Sequence, residues 1–272
     1  MTILVTGATG TVGRRIVGQL AERGVPVRAL TRNPGKAAFP AGVEVACGDL
    51  TSLETLAPAL EGVTGLHLIT FGGDDYAPLE NGPELVELAA KAGVTRVSVL
   101  SSFDETSVEA ALRAGGLGWT QLLCMEFMAN AFDWTASVRE EGVVRVFGNH
   151  PGAVVHEADI AAVAVAALVE EGHAGETYVV TGPEALTPEE RVRLLGAAIG
   201  REIRFEEQSE EEYRASMRAA GVGDDLIEFG VRLGAEPMEA ASVVAPTVER
   251  VTGRPGRTFA QWAAENAAAF RI

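Results

Sequence analysis

The sequence predicts a doubly wound α/β protein, in which a parallel sheet carries helices on both faces and a small α+β lobe follows at the C-terminus. Three observations predict it. The apolar run Ile3-Leu4-Val5 feeds straight into a glycine-rich turn, Thr6-Gly7-Ala8-Thr9-Gly10-Thr11-Val12-Gly13, and then into helix-forming sequence. Short apolar runs alternate with stretches of helical period from there to residue 123, the pattern of βαβ units. Hydrophobic residues make up 47% of 272, enough to bury a substantial core.

The first element organises the rest. A dinucleotide pyrophosphate needs backbone that no side chain obstructs, and a helix N-terminus whose free N–H groups and partial positive charge face the anion. Gly7 and Gly10 supply the approach, Gly13 lets the helix pack closely on the strand, and Thr9, Thr11 and Val12 complete the loop. The spacing is G-x-x-G-x-x-G, longer than the G-x-G-x-x-G fingerprint, so a plain strand-to-helix turn is the competing reading.

Residues 25–30 form the second strand, after a helix that Gly24 ends, and lead into Thr31-Arg32-Asn33-Pro34-Gly35-Lys36. A site for NAD places an acid here on the ribose 2′-OH, whereas a 2′-phosphate wants cations and hydroxyls. No acid is present; Thr31, Arg32 and Lys36 are, with Arg14 near enough in sequence to close on the same phosphate. NADP is therefore expected over NAD, the alternative being a solvated basic loop.

Residues 43–46 form a third strand leading to Gly48-Asp49-Leu50, and Thr51 to Glu54 has capping-box spacing for the next helix. Asp49 suits a turn. The fourth strand, 65–70, ends at Phe71-Gly72-Gly73, glycines that again permit close backbone approach. A helix over 83–92 presents Leu85, Leu88 and Ala89 on one face and stops at Gly93. The fifth strand, 96–100, delivers Ser101-Ser102-Phe103, and the sixth, 120–123, delivers Cys124 to Asn130. Ligands of such sheets sit at the carboxyl ends of the strands, where all these loops collect.

Taken together, the glycine motif, Thr31-Arg32-Asn33-Pro34, Gly48-Asp49-Leu50, Lys91-Ala92-Gly93-Val94, Ser101-Ser102 and Phe127-Met128-x-Asn130 are similar in order and spacing to the NmrA-like atypical short-chain dehydrogenase/reductases, over most of the chain. The resemblance implies an NADP-binding Rossmann domain at 1–185 and a small substrate-covering lobe at 186–272, packed as one bilobal unit. It further implies that Asp49 bonds the adenine amino group, and that the helix opening at Asp159-Ile160-Ala161 lies near the pocket mouth, where His156 meets substrate. The chain departs from the family at Cys124-Met125-Glu126, where members commonly carry Arg-Pro-Gly.

Ordinary short-chain dehydrogenases use a Tyr with a Lys four residues later as the acid for a carbonyl. Tyr76, Tyr178 and Tyr213 all lack that lysine. Two readings remain. In one, the chain passes hydride from NADPH to a quinone or conjugated polycyclic aromatic, which delocalises the developing charge and needs positioning and a dry pocket more than an acid. Quinone- and dye-reducing members of the resembled family also lack the pair. In the other, the fold binds NADP(H) without turnover, as a sensor. A non-redox pocket with a structural dinucleotide is a third, distant class. Glu126, Tyr76 and Ser102 are the candidates to handle a proton, with solvated or capped roles as the alternatives. Phe103, Met125, Phe127, Met128 and Asn130, with His156, are the candidates to line the substrate pocket, or else belong to the core.

Composition narrows the partners. The formal net charge is −16 with 22 Lys and Arg in all, so nucleic acid is disfavoured. No apolar stretch reaches the roughly 18 residues of a membrane span, and a cytoplasmic enzyme from a GC-rich bacterial genome is expected, monomer or homodimer, with aromatic natural-product tailoring as its setting. Cys47 and Cys124 are lone thiols, and the four histidines are scattered, so no metal site is expected.

The second half completes the sheet and adds the lobe. Residues 176–182 read as a late strand; Asp159 caps a helix over 160–169; Thr187-Pro188-Glu189-Glu190 opens a helix that Gly200 ends. Residues 204–206 form a short strand, Ser209 to Glu212 is another capping box, and 213–246 is a helical cover broken at Gly221, Gly223 and Gly234. Residues 258–266 form an amphipathic tail helix with Phe259 and Trp262 on one face.

Overall fold

The computed structural model describes residues 1–73, 77–101, 104–236 and 238–271. In chain order the strands are β1 (Ile3–Val5), β2 (Val27–Thr31), β3 (Glu44–Cys47), β4 (Gly65–Ile69), β5 (Phe71–Gly72), β6 (Ala77–Pro78), β7 (Arg96–Ser101), β8 (Gly118–Leu123), β9 (Val143–Phe147), β10 (Thr177–Val179) and β11 (Arg204–Gln208). The helices are α1 (Gly13–Glu22), α2 (Leu53–Leu60), α3 (Gly82–Lys91), α4 (Ser107–Ala114), α5 (Thr135–Glu140), α6 (Glu157–Val169), α7 (Pro188–Ile199), α8 (Glu210–Ala219), α9 (Asp224–Ala235), α10 (Glu239–Ser242), α11 (Thr247–Thr252) and α12 (Phe259–Phe270).

The residues fall into two compact units, each assembled from three stretches of chain. Unit 1 is 1–124, 157–180 and 247–254; unit 2 is 125–156, 181–246 and 255–272. This partition differs from a single cut after residue 185 chiefly in that residues 125–156 belong to the second unit and 247–254 to the first.

Unit 1 holds the whole seven-stranded sheet, in the order β10-β8-β7-β4-β1-β2-β3, with every pairing parallel. Such a sheet must be covered on both faces, and the side chains alternate accordingly. Leu4, Leu66, Leu68, Val97 and Val99 pack with residues of α2, α3 and α4. The opposite face meets α6, an alanine-rich helix buried along nearly its whole length. The chain reverses its direction of travel across the sheet between β1 and β4, the switch point where ligands of doubly wound folds bind.

Unit 2 is built on α12 and α7. Phe259, Trp262 and Phe270 of α12 are fully buried among Val192, Leu195 and Ile203. Both helices open on complete capping boxes, Thr187 with Glu190 and Thr258 with Gln261. A two-stranded parallel pair, β9 with β11, completes the unit's regular structure; β9 had no clear sequence signal.

Several local expectations are corrected. The Thr51–Glu54 capping box does not form: Ser52 is the N-cap and its side chain makes no cap bond, because Thr51 is turned back onto Asp49. Helix α6 starts at Glu157, so Asp159 sits in its first turn instead of capping it. Gly234 lies inside α9 and does not break it; a Cβ there would strike the Phe147 ring at 2.4 Å, so this glycine serves close packing.

Candidate functional site

In unit 1 the glycine turn is shaped by contacts that only glycines allow. Thr6, buried at the end of β1, donates its backbone N–H to His67 O (3.0 Å), and its Oγ1 accepts from Ile69 N (3.0 Å), tying β1 to β4. Gly7 has φ +57°, a left-handed conformation that side chains disfavour. A Cβ at Gly13 would fall 2.1 Å from Gly7 O and 2.9 Å from Ala8 Cα, so α1 starts in direct backbone contact with the turn. Helix α1 has no side-chain cap and no acid in its first turn; Arg14 N and Arg15 N donate to the backbone of the turn, at Gly10 O and Val12 O, and the positive dipole end of the helix faces outward for an anion. Arg14 folds over the rim: Nη2 donates to Thr9 O (2.6 Å) and Nε to Gly10 O (3.1 Å). Thr11 is exposed and Val12 buried.

At the end of β2, Thr31 is buried and its Oγ1 accepts from Asn33 N (3.2 Å). Arg32 and Lys36 are exposed, Lys36 on a short 3-10 turn, Pro34–Lys36. After β3, Asp49 Oδ1 accepts from Thr51 N (2.9 Å) and Thr51 Oγ1 (2.8 Å), the turn-forming arrangement. Leu50 is buried and its carbonyl accepts from Asn81 Nδ2 (2.8 Å). Phe71 and Gly72 pair antiparallel with Pro78 and Ala77. A Cβ on Gly72 would sit 2.7 Å from Leu79 Cδ2, and Gly73 has φ +71°.

Two buried hydroxyls stand at the carboxyl ends of the adjacent strands β4 and β7. Thr70 Oγ1 and Ser101 Oγ have no hydrogen-bond partner among the described residues. Buried polar groups left in this state need a partner, and their place is where doubly wound folds bind ligands. The glycine cradle, the bare helix terminus and these hydroxyls together fit a dinucleotide. Thr70 is the residue that sequence reasoning missed; the signal was a hydroxyl just past an apolar strand. Tyr76, Ser102 and Phe103 lie outside the described residues.

The substrate-side candidates among the described residues fall in unit 2. Glu126 Oε1 accepts from Arg191 Nη1 at 2.6 Å, and the buried Arg191 guanidinium also lies over the Trp134 ring, 5.7 Å from its centroid. The carboxylate is thus engaged by a cation 65 positions away, a contact that no local motif announces. Phe127 bridges to Val155, with Met128 N donating to Val155 O (2.9 Å). Met128 is 1% exposed and belongs to the unit's apolar core, as the bland reading of the methionines has it. Met125 is half-buried and Asn130 exposed. His156 is buried, its Nε2 3.3 Å from Glu265 Oε2.

Residues 7–171, more than half of the chain, match the family described as NAD(P)H-binding. The chain belongs to that family. Among its relatives, a (4-alkanoyl-5-oxo-2,5-dihydrofuran-3-yl)methyl phosphate reductase of Streptomyces griseus is 38% identical across 98% of this chain and 99% of its own length. An NAD(P)H azoreductase of Xenophilus azovorans is 34% identical across 98% and 99%. The crystal structure of an Escherichia coli NADPH-dependent quinone oxidoreductase complexed with NADPH superposes with a TM-score of 0.82, at 26% identity, covering 97% of this chain and 99% of that one. The chain is accordingly an NAD(P)H-binding oxidoreductase with a Rossmann-like sheet, in line with its NmrA-like resemblance. Among the described residues no helix is long and apolar enough to cross a membrane.

Proposed function

We propose that this chain is an NADPH-dependent reductase of a quinone, a conjugated polycyclic aromatic or a similar electron-poor conjugated acceptor, of the kind met in natural-product tailoring. The observation that carries the reading is an intact nucleotide cradle in a chain with no Tyr-x-x-x-Lys pair. NADPH, when bound, supplies a hydride. The relatives' names describe acceptors of one chemical type: a quinone, an azo compound, and a dihydrofuranone whose ring double bond is conjugated to carbonyls. Each spreads the arriving charge over oxygen or nitrogen, so a strong general acid is dispensable and exclusion of water matters more.

In this reading Gly7 to Gly13 and the α1 terminus hold the pyrophosphate, and Thr31, Arg32 and Lys36 hold the 2′-phosphate. Thr70 and Ser101 offer hydroxyls to the nucleotide at the strand ends. Glu126, held by Arg191, keeps unit 2 in shape beside Phe127 and Asn130.

The test mixes protein and NADPH with a panel of quinones, azo dyes and butenolides, and follows the loss of NADPH absorbance. Turnover of conjugated acceptors with none of saturated ketones is the expected result; tight NADP(H) binding with no turnover on any acceptor replaces the reductase by an NADP(H) sensor. Arg32→Glu is expected to weaken NADPH by about tenfold or more while leaving NADH nearly unchanged; equal weakening of both refutes the phosphate assignment.

A further inference from the structure

Helix α9 is apolar on two sides, and only one of them has a core to meet. Its inner side buries Ile227 and Val231, and Gly230 and Gly234 let it lie flush: a Cβ at Gly230 would meet the Tyr213 hydroxyl and one at Gly234 the Phe147 ring. Its outer side presents Leu226, Phe229 and Leu233, 65%, 50% and 43% exposed, at the spacing of a single helical face. Met238, Val243 and Val244 are exposed shortly after it. A contiguous apolar patch of this kind on a soluble surface marks a docking site.

The charges on α9 say what docks there. Asp224 is paired with Arg218 and Glu228 with Arg214. Asp225 and Arg232, both exposed, make no ion pair within 4 Å among the described residues, Arg232 acting on Glu228 only as a more distant charge one turn away. They are two helical turns apart and lie together along the edge of the apolar stripe, next to Phe229. A second α9 laid antiparallel, with a two-fold axis at Phe229, sets each Asp225 against the other's Arg232, stacks Leu226 on Leu233, and opposes the helix dipoles favourably.

We propose that this face is the interface between two copies of the chain. The two-fold operation satisfies both leftover charges at once, because each copy brings the acid at one end of the stripe and the base at the other. A lipid surface does not fit: interfacial helices carry Lys and Arg on their polar face, whereas α9 begins Asp224-Asp225 and the chain has a net charge of −16.

Sedimentation velocity over a micromolar to hundred-micromolar range tests this. The unmodified chain is expected to dimerise. Phe229→Glu is expected to weaken the dimer by at least about tenfold, with unchanged far-ultraviolet circular dichroism. Asp225→Arg and Arg232→Asp are each expected to weaken it, and the two together to restore it, since the swapped charges again face each other. A chain that stays monomeric throughout, a dimer that survives Phe229→Glu, or a double exchange that fails to recover the dimer overturns the proposal. So does Phe229→Glu lowering NADPH turnover with no change in mass, which assigns the face to substrate.

Discussion

Gly13 is where one atom decides whether the nucleotide cradle exists. The nearest neighbours of a Cβ there are backbone atoms, Gly7 O, Gly7 C and Ala8 Cα, which cannot swing aside as a side-chain tip does. Gly13→Ala must push α1 off the turn, and NADPH affinity is expected to fall by at least about tenfold, or about 1.4 kcal/mol. Gly18→Ala, in the same helix with nothing within 4 Å of its Cβ, is the control: it is expected to raise stability by about 0.5–1 kcal/mol and leave affinity alone. Titration calorimetry on both variants checks the pair. Beneath the turn, His67 is wholly buried, its Nδ1 2.8 Å from Ser98 Oγ. Desolvation pushes its pKa down from 6.5 to about 3. The folded pKa lies below the unfolded one, so the chain loses stability as pH falls from 6.5 towards 3, by about 1.4 kcal/mol per pH unit from this group. Urea midpoints for the parent and His67→Leu, taken from about pH 7.5 to about pH 5, are expected to show a flatter slope in the variant; parallel slopes refute the assignment.

The elements divide into those whose signals are local and those whose signals are not. Strands β1, β4, β7 and β8 were legible because each is an apolar run bounded by turn residues, and α7, α8 and α12 because their caps are written within four residues. Strand β9 was not, since Val143–Phe147 gains its partner only at β11, some sixty residues on. The same distance hid Arg191 from Glu126, and of the five crossings between units, those after residues 124, 156 and 180 occur in buried or half-buried sequence with no linker composition to betray them. Another long-range pair bears on the site. Arg15, in the first turns of α1, donates to Glu157 of α6 (3.4 Å), and Gln19 Nε2 donates to Ala158 O (2.8 Å). These two bonds fix the roll of α1, and with it the aim of its N-terminus. Arg15→Met and Glu157→Gln are each expected to raise the NADPH Kd about two- to fivefold, and the double variant no further, as expected of partners in one contact. Full additivity in Kd would show that the two residues act separately.

Across the whole molecule the charge is uneven in a way that favours the cofactor. The chain is strongly acidic, yet residues 14–36 carry Arg14, Arg15, Arg23, Arg28, Arg32 and Lys36 against the single acid Glu22. Arg15, Arg23 and Arg28 are paired with Glu157, Glu170 and Glu44, and with a screening length of about 8 Å near physiological salt the cations of this stretch that bear on an arriving phosphate are Arg14, Arg32 and Lys36. Local attraction therefore outweighs the net repulsion, and the contact that distinguishes NADPH from NADH, the extra phosphate, should be the most sensitive to salt. Raising salt from about 0.05 M to about 0.5 M is expected to weaken NADPH more steeply than NADH, and Arg32→Glu to bring the two slopes together. If NADPH binding instead tightens with salt, the acidic whole prevails over its basic corner, and the cationic grip on the 2′-phosphate is wrong.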